Sequence, residues 1–487
     1  MTETTPLWRD ARGIYQDKGR DSVPSGFVWN LLDYVPDLSG APLRGRGAWT
    51  ARSTALASPS NALIYATYEA GDKLMAVTTA GQLYEISISG AAAATAAPAV
   101  VPTLQNPFMH RDRVIIPAAD GVTAARFVTF TTGWAVAAAP ASALTGRYGV
   151  AWKDYVALGN SSVEPQRVSF SGAGDPTLAW ETDFSLVDTS YPITGMAAQR
   201  TQILCFHNGS VERIRGTKPP ASGATNPVGD LILDLLFDRA GCFDARSIAH
   251  WNDNVIFADA RGIHVTDGAI VRNMAAQGGV LRLWRTAMDG ATSVAGVVYG
   301  DYYICTVRSA APPETFVCYI PGRQFHRFTN IDSAAYAYAT ADKERIFGTD
   351  SASSIVTEVT AAFEPNTTVL QIDADGTPVL PVLETAYWKN KMGGWSRFLD
   401  LFIAYETGSI ADDGSAVLRL GVVGTPADAS YETIGTFRRS PDMVRRKLAL
   451  RRRHLGLGVR VEQLLATRDT RLYAVDGNVY PEEATTV

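Results

Sequence analysis

The sequence predicts an all-β chain, a β-propeller followed by a C-terminal antiparallel β-sandwich. Three observations lead there. Short runs rich in β-branched and aromatic residues recur along most of the 487 residues, each closed by a turn. The runs group into units of about 40–60 residues with roughly four strands each, which is the sequence period of propeller blades. Beyond residue 365 the texture changes to longer strands that alternate on one side. With 46% apolar and 19% charged residues, the chain has ample material for a sizeable core.

In order, residues 1–50 read as an irregular leader with turn signals every few positions. Residues 51–365 read as five or six blades. NALIYATY, DKLMAVTT and GQLYEISI make a first unit, and DRVIIPAA, ARFVTFTT and GWAVAAA a second. The stretch from GRYGVAWKDYVALGN to SVERIRG reads as one long, clear unit. DARSIAHW to IVRN follows, then SVAGVVY to QFHRFTN, then AYAYATADKERIFGTD. Turns such as Asn252-Asp253 and Gly300-Asp301 separate the strands, and third strands open on Gly81, Gly209 and Gly262. Helical periodicity is scarce; residues 275–288 are the best candidate for a short helix. Residues 366–487 read as the sandwich or jelly roll. A pair of sandwiches is the competing arrangement for the whole chain, and the even spacing disfavours it.

The formal net charge of −5 argues against a general nucleic-acid binder, which needs excess Lys and Arg to neutralise phosphates. Cys205, Cys242, Cys305 and Cys318 have no metal-cradle spacing. Cys305 and Cys318 fall on the two arms of one hairpin and are expected as reduced, buried thiols. The start, MTETTPLWRD, carries no signal-peptide pattern, and no apolar stretch is long enough for a membrane span.

Chemistry finds little foothold. Asp112, Asp154, Asp253, Asp301 and Asp342 lie at hairpin turns, where side-chain capping of backbone amides explains them better than paired-carboxylate catalysis. The Ser171–Pro176 turn before Trp180 differs in spacing from the Asp-box of sialidases and has no second copy. His110, His207, His250, His264, His326 and His454 have no ligand spacing, and there is no G-x-S-x-G. Residues 40–47 (GAPLRGRG) lack the Lys-Ser/Thr ending of a phosphate loop. No enzyme and no cofactor is expected. The most polarised stretch is 438–460, where Arg438, Arg439, Arg445, Arg446, Lys447, Arg451, Arg452 and Arg453 stand against one acid, Asp442. Such a run reads either as a solvated face with intradomain ion pairs or as an interface for an acidic neighbour.

Several strings resemble propeller-bearing tail proteins of tailed bacteriophages (nozzle, hub or minor tail proteins). They are Gly13-Ile14-Tyr15, Asp33-Tyr34-Val35-Pro36 and Leu43–Gly47 in the leader; Arg167–Ser171 with Gly174-Asp175-Pro176 and Trp180; Ile203–Phe206 through Gly216; Gly241-Cys242 to Ile248; and the end from Leu455 to Glu483. The resemblance implies a structural virion component, assembled in the host cytoplasm and packed as a multi-copy ring. Its partners would be itself and other tail proteins, with DNA only as passing cargo and no membrane insertion. The leader and the Arg-rich strands are the expected interfaces. The alternative is a tail protein that binds host-surface glycan, for which Trp152, Trp180, Trp251 and Trp284 are the candidate rim aromatics. A polysaccharide-cleaving enzyme would need two facing carboxylates, and a WD-type scaffold would need Trp-Asp strand ends that are missing.

Overall fold

The computed structural model describes residues 3–8, 13–17, 22–24, 27–36, 43–46, 48–87, 95–100, 102–131, 133–138, 145–173, 186–219, 230–309, 312–329, 331–340, 344–350, 354–360, 363, 373, 379–385, 387–389, 396–406, 416–424, 431–438, 443–454, 456–464 and 471–481. Many core strands of the first part are apolar on both faces. Gln202–Phe206 and Asn254–Asp259, for instance, bury all but their first residue. A strand buried on both sides needs a layer above and below it, and a ring of small sheets provides both.

Among the described residues, seven four-stranded antiparallel units form that ring. Blade 1 runs from Ser60–Tyr68 to Thr95–Ala99, blade 2 from Phe108–His110 to Trp134–Ala138, and blade 3 from Tyr148–Trp152 to Leu186–Asp188. Blade 4 runs from Gly195–Gln199 to Ile232–Phe237, blade 5 from Ala249–Trp251 to Val271–Asn273, and blade 6 from Ser293–Tyr299 to Gln324–Phe328. Blade 7 takes Ser333–Ala339, Arg345–Asp350 and Ile355–Glu358, and receives its outermost strand, Thr50–Ala51, from near the start of the chain. A separate apolar core fills each seam. Ile64 and Met75 meet Val114 and Val128 between blades 1 and 2, and so on round to Phe347 and Val356 against Leu63 and Leu74 between blades 7 and 1. The expectation of five or six blades is thus corrected to seven. The long unit from Gly146 to Gly216 is two blades: the fourth strand of blade 3, Leu186–Asp188, has only three residues and leaves no visible period.

The leader is not irregular. Its strands Glu3–Trp8, Tyr34–Pro36 and Leu43–Gly45 join Ser396–Glu406, Val444–His454 and Arg471–Pro481 in one six-stranded sheet. The strand Asn30–Leu32 pairs antiparallel with Val382–Glu384 and, through Leu32, parallel with Arg327 of blade 6. Blade 6 therefore continues without a break into the second C-terminal sheet, Val382–Glu384, Gly456–Gln463, Ala416–Val423 and Glu432–Arg438. The two sheets enclose one core of Phe398, Leu401, Ile403, Leu420, Val459 and Val475, which runs on into blades 5 and 6.

A buried ion cluster fastens these parts. Arg46 is fully buried and donates to Asp33 (2.7 Å), to both oxygens of Asp373 (2.9 and 2.7 Å) and to the Thr329 carbonyl (2.9 Å). Asp33 in turn accepts from the Thr329 amide. The expected helix over 275–288 is two helices, α1 (Met274–Gln277) and α2 (Leu281–Met288). They part at Gly278-Gly279, where Gly279 has φ +72° and a Cβ would lie 2.0 Å from the Tyr15 ring. Cys305 and Cys318 are diagonal rather than directly opposed, since Cys305 pairs with Phe316 and Tyr303 with Cys318; all four thiols are free and buried. No helix among the described residues is long and apolar enough to cross a membrane.

Candidate functional site

The Arg-rich run lands on the strand Val444–His454, whose only sheet partner among the described residues is Ser396–Glu406. It is thus the edge of the six-stranded sheet. Leu448 and Leu450 turn to the core, while Arg445, Arg446 and Lys447 are exposed. An unpaired edge strand offers a row of free backbone donors and acceptors, and charged side chains are one way a fold keeps such an edge from indiscriminate pairing. Two cations are partly satisfied at home: Arg445 pairs with Asp476 at 3.1 Å and lies 4.4 Å over the Phe402 ring, and Lys447 pairs with Asp400 at 2.9 Å. Arg446 hydrogen-bonds the Tyr405 hydroxyl, which also donates to the Arg438 carbonyl (2.8 Å). Arg438 ends the neighbouring edge strand, Glu432–Arg438, of the other sheet. Arg451, Arg452 and Arg453 hold positions on the same strand, and Arg439 lies outside the described residues.

The turn aspartates have a different employment from the one expected. In blades 2 to 6 the first hairpin closes in two residues, and the leading one (Arg111, Lys153, Arg200, Asn252 or Gly300) sits at φ between 49° and 55°, as tight hairpins require. These hairpins reach forward to the next blade. Arg111 pairs with Asp154 (3.2 Å), Lys153 donates to the Gly216 carbonyl (2.7 Å), Arg200 pairs with Asp253, and Trp251 donates to Asp301 (3.1 Å). They form a chain of inter-blade ties; Asp112 pairs with Arg113 of its own turn, and Asp342 lies outside the described residues. Capping does hold elsewhere: Asp230 accepts from the Thr217 and Lys218 amides and the Thr217 hydroxyl, which holds its carboxyl at about 2.

Two histidines meet carboxylates, but deep in the fold. His264 Nε2 lies 2.8 Å from Asp259, stacked on Phe257, and His207 Nε2 lies 3.3 Å from Glu212. Each pair is buried, so neither can meet a substrate as the structure stands. Among the described residues no cluster of metal-ligating side chains forms.

The aromatic candidates divide. Trp152 and Trp284 are core residues, Trp284 donating to the Asp259 carbonyl (2.8 Å), and Trp180 is outside the described residues. Trp251 lines a cavity of about 220 Å³, with Asn254, Asp267, Arg272 and Arg323. A shallower hollow of about 770 Å³ lies along α2, with Asp17, Arg282, Arg285 and Asp289.

The propeller axis is laced shut at one end. Asn106 takes the Leu63 amide of blade 1 (3.3 Å) and donates to the Tyr336 carbonyl of blade 7 (3.0 Å). Gln105 makes both amide bonds to Gly149 of blade 3 (2.9 and 3.1 Å). Arg246, just before blade 5, reaches the Asn61 carbonyl of blade 1 at 3.4 Å. A contact between blades that far apart in the ring crosses near the axis.

No described protein family and no curated protein matches the chain. Among solved structures, BBS1N in complex with ARL6DN aligns at a TM-score of 0.41 and 10% identity, over 64% of this chain and 96% of that one. The AfRom2 CNH domain aligns at 0.40 and 9%, over 64% and 98%. Both likenesses concern the fold alone.

Proposed function

We propose that the chain is a structural component of a bacteriophage tail (a nozzle, hub or minor tail protein) and packs in several copies as a ring. The observation that carries this reading is the edge strand Val444–His454, with Arg445, Arg446 and Lys447 exposed, on a sandwich that is joined by a continuous sheet to a closed, laced propeller. A body of this kind bears load: its ion cluster and inter-blade ties oppose relative movement of the parts, and its chemistry is turned outward as charge rather than inward as a cleft. In such a ring, DNA would pass along the shared axis between copies, because the propeller's own axis is crossed by side chains. Electron micrographs of the purified protein, alone and with tail proteins of the same phage, test the reading. Rings of fixed copy number are expected; a chain that stays monomeric in both settings sinks it.

A second reading, a tail protein that holds host glycan, keeps one specific support, the Trp251 cavity with its mixed polar rim. Aromatic faces and planar polar groups suit sugar rings. Glycan-array binding that is lost in Trp251→Ala is expected on this reading, and an array without signal counts against it.

A further inference from the structure

Two open edges of this fold fit each other, and we propose that copies join by adding the outermost strand of blade 4, Ile232–Phe237, antiparallel to the edge strand Val444–His454 of the next copy. The inference rests on the ring reading and specifies its contact. Both strands end their sheets, so each has one row of backbone groups without a ladder partner among the described residues. The blade 4 edge is also unusually apolar for its position: Ile232 and Leu235 are 56% and 59% exposed.

Their sequences carry opposite charge at the same spacing. Around blade 4 the order is Asp230-Leu-Ile-Leu-Asp234-Leu-Leu-Phe-Asp238, an acid every fourth residue with apolar triplets between. On the other edge Lys447 and Arg451 flank the triplet Leu448-Ala449-Leu450. One antiparallel register satisfies both. It sets Asp234 opposite Lys447 and Ile232 opposite Ala449, just before the register shift between Ala449 and Arg452. In the same register Leu233 meets Leu448. Leu231 and Leu233 already face the blade 3–4 core, and Leu448 and Leu450 face the sandwich core, so the alternation of faces is kept across the joint.

The existing ion pairs extend across it. Asp400 holds Lys447 in one copy, and Arg213 and Arg215 hold Asp234 in the other. Joined, the order Asp400, Lys447, Asp234, Arg213 alternates in sign across four strands, an arrangement that cross-strand pairing favours. Self-pairing of the Arg-rich edge would instead set cations against cations. A contact between two different patches is head-to-tail, and head-to-tail contacts close into rings or grow into filaments.

Disulfide trapping tests the register. All four native cysteines are buried, so Ile232→Cys and Ala449→Cys supply the accessible thiols. Mixing the two single variants under mild oxidation should give a cross-linked dimer that neither forms alone. Asp234→Lys should raise the concentration needed for assembly about tenfold or more, and adding Lys447→Asp should restore it. Self-linking of Ile232→Cys, or rings in micrographs from a mixture that never links, overturns this contact and leaves the ring reading standing. A mixture that is monomeric throughout removes both.

Discussion

Arg46 shows how far one side chain can matter. It satisfies two carboxylates out of reach of water, and burial tends to raise the Asp373 carboxyl while the guanidinium pulls it down. Replacing one partner of a buried ionic cluster leaves the others uncompensated, at about 3–5 kcal/mol. Arg46→Met should lower stability by that amount in chemical denaturation, and adding Asp33→Asn and Asp373→Asn should recover more than half. His326 makes a second prediction. Neither ring nitrogen has a hydrogen-bond partner among the described residues, and burial lowers its pKa from 6.5 to about 3. Between those values the unfolded chain binds the proton and the folded one does not. Stability is therefore complete above about pH 6.5 and falls as pH drops toward 3, by up to ~1.4 kcal/mol per unit. His326→Leu should flatten a plot of melting temperature between pH 7 and pH 4.5; an unchanged slope would refute the assignment. Neither residue was legible beforehand. The Arg46 segment, GAPLRGRG, looks like a spent phosphate loop, and its acid partners lie 13 and 327 positions away. Nothing in the sequence near His326 marks it as deeply buried.

At the scale of elements, what could be read was what repeats. Strands such as Asn254–Asp259 and the hairpin turn at Asn252-Asp253 announce themselves through β-branched runs and turn residues. The left-handed turn positions at Arg111, Lys153 and Arg200 carry no such mark, because long basic residues do not favour that conformation and are held there by the ties they make to the next blade. The leader strands escaped for another reason: Asn30–Leu32 and Leu43–Gly45 are three residues each, the first takes its ladder from strands hundreds of positions away, and the second splits its own between Tyr34–Pro36 and the distant Arg471–Pro481. The α1–α2 break was hidden inside a helical pattern. There Gly279→Ala should destabilise by ~1–3 kcal/mol, since its φ is positive and the new methyl strikes Tyr15. A melting temperature equal to that of the parent would show that the leader yields instead.

For the whole molecule, the class of fold was legible and the way its parts are joined was not. Periodicity reports repeated sheets, whereas the sheet continuity between blade 6 and the sandwich runs through a short strand inserted between them, Asn30–Leu32. The edge strand Val444–His454 was visible as charge, but its complement on blade 4 emerged only once both were seen as open edges. Deleting residues 1–55 would remove the closing strand of blade 7 and the core residues Ile14, Val28, Leu31 and Tyr34 together. The truncated protein should be recovered only from the insoluble fraction; a soluble product with cooperative melting would contradict this account of closure.

That closure also sets a timetable for synthesis. Thr50–Ala51 finds its neighbour only when Ile355–Glu358 has left the ribosome, and Glu3–Trp8 must wait for Arg471–Pro481. These early strands are thus among the last of the chain to settle, and through most of the synthesis of residues 50–471 they stay unfinished in a crowded cell. Chaperone demand during expression should accordingly exceed that of a propeller closed by adjacent segments.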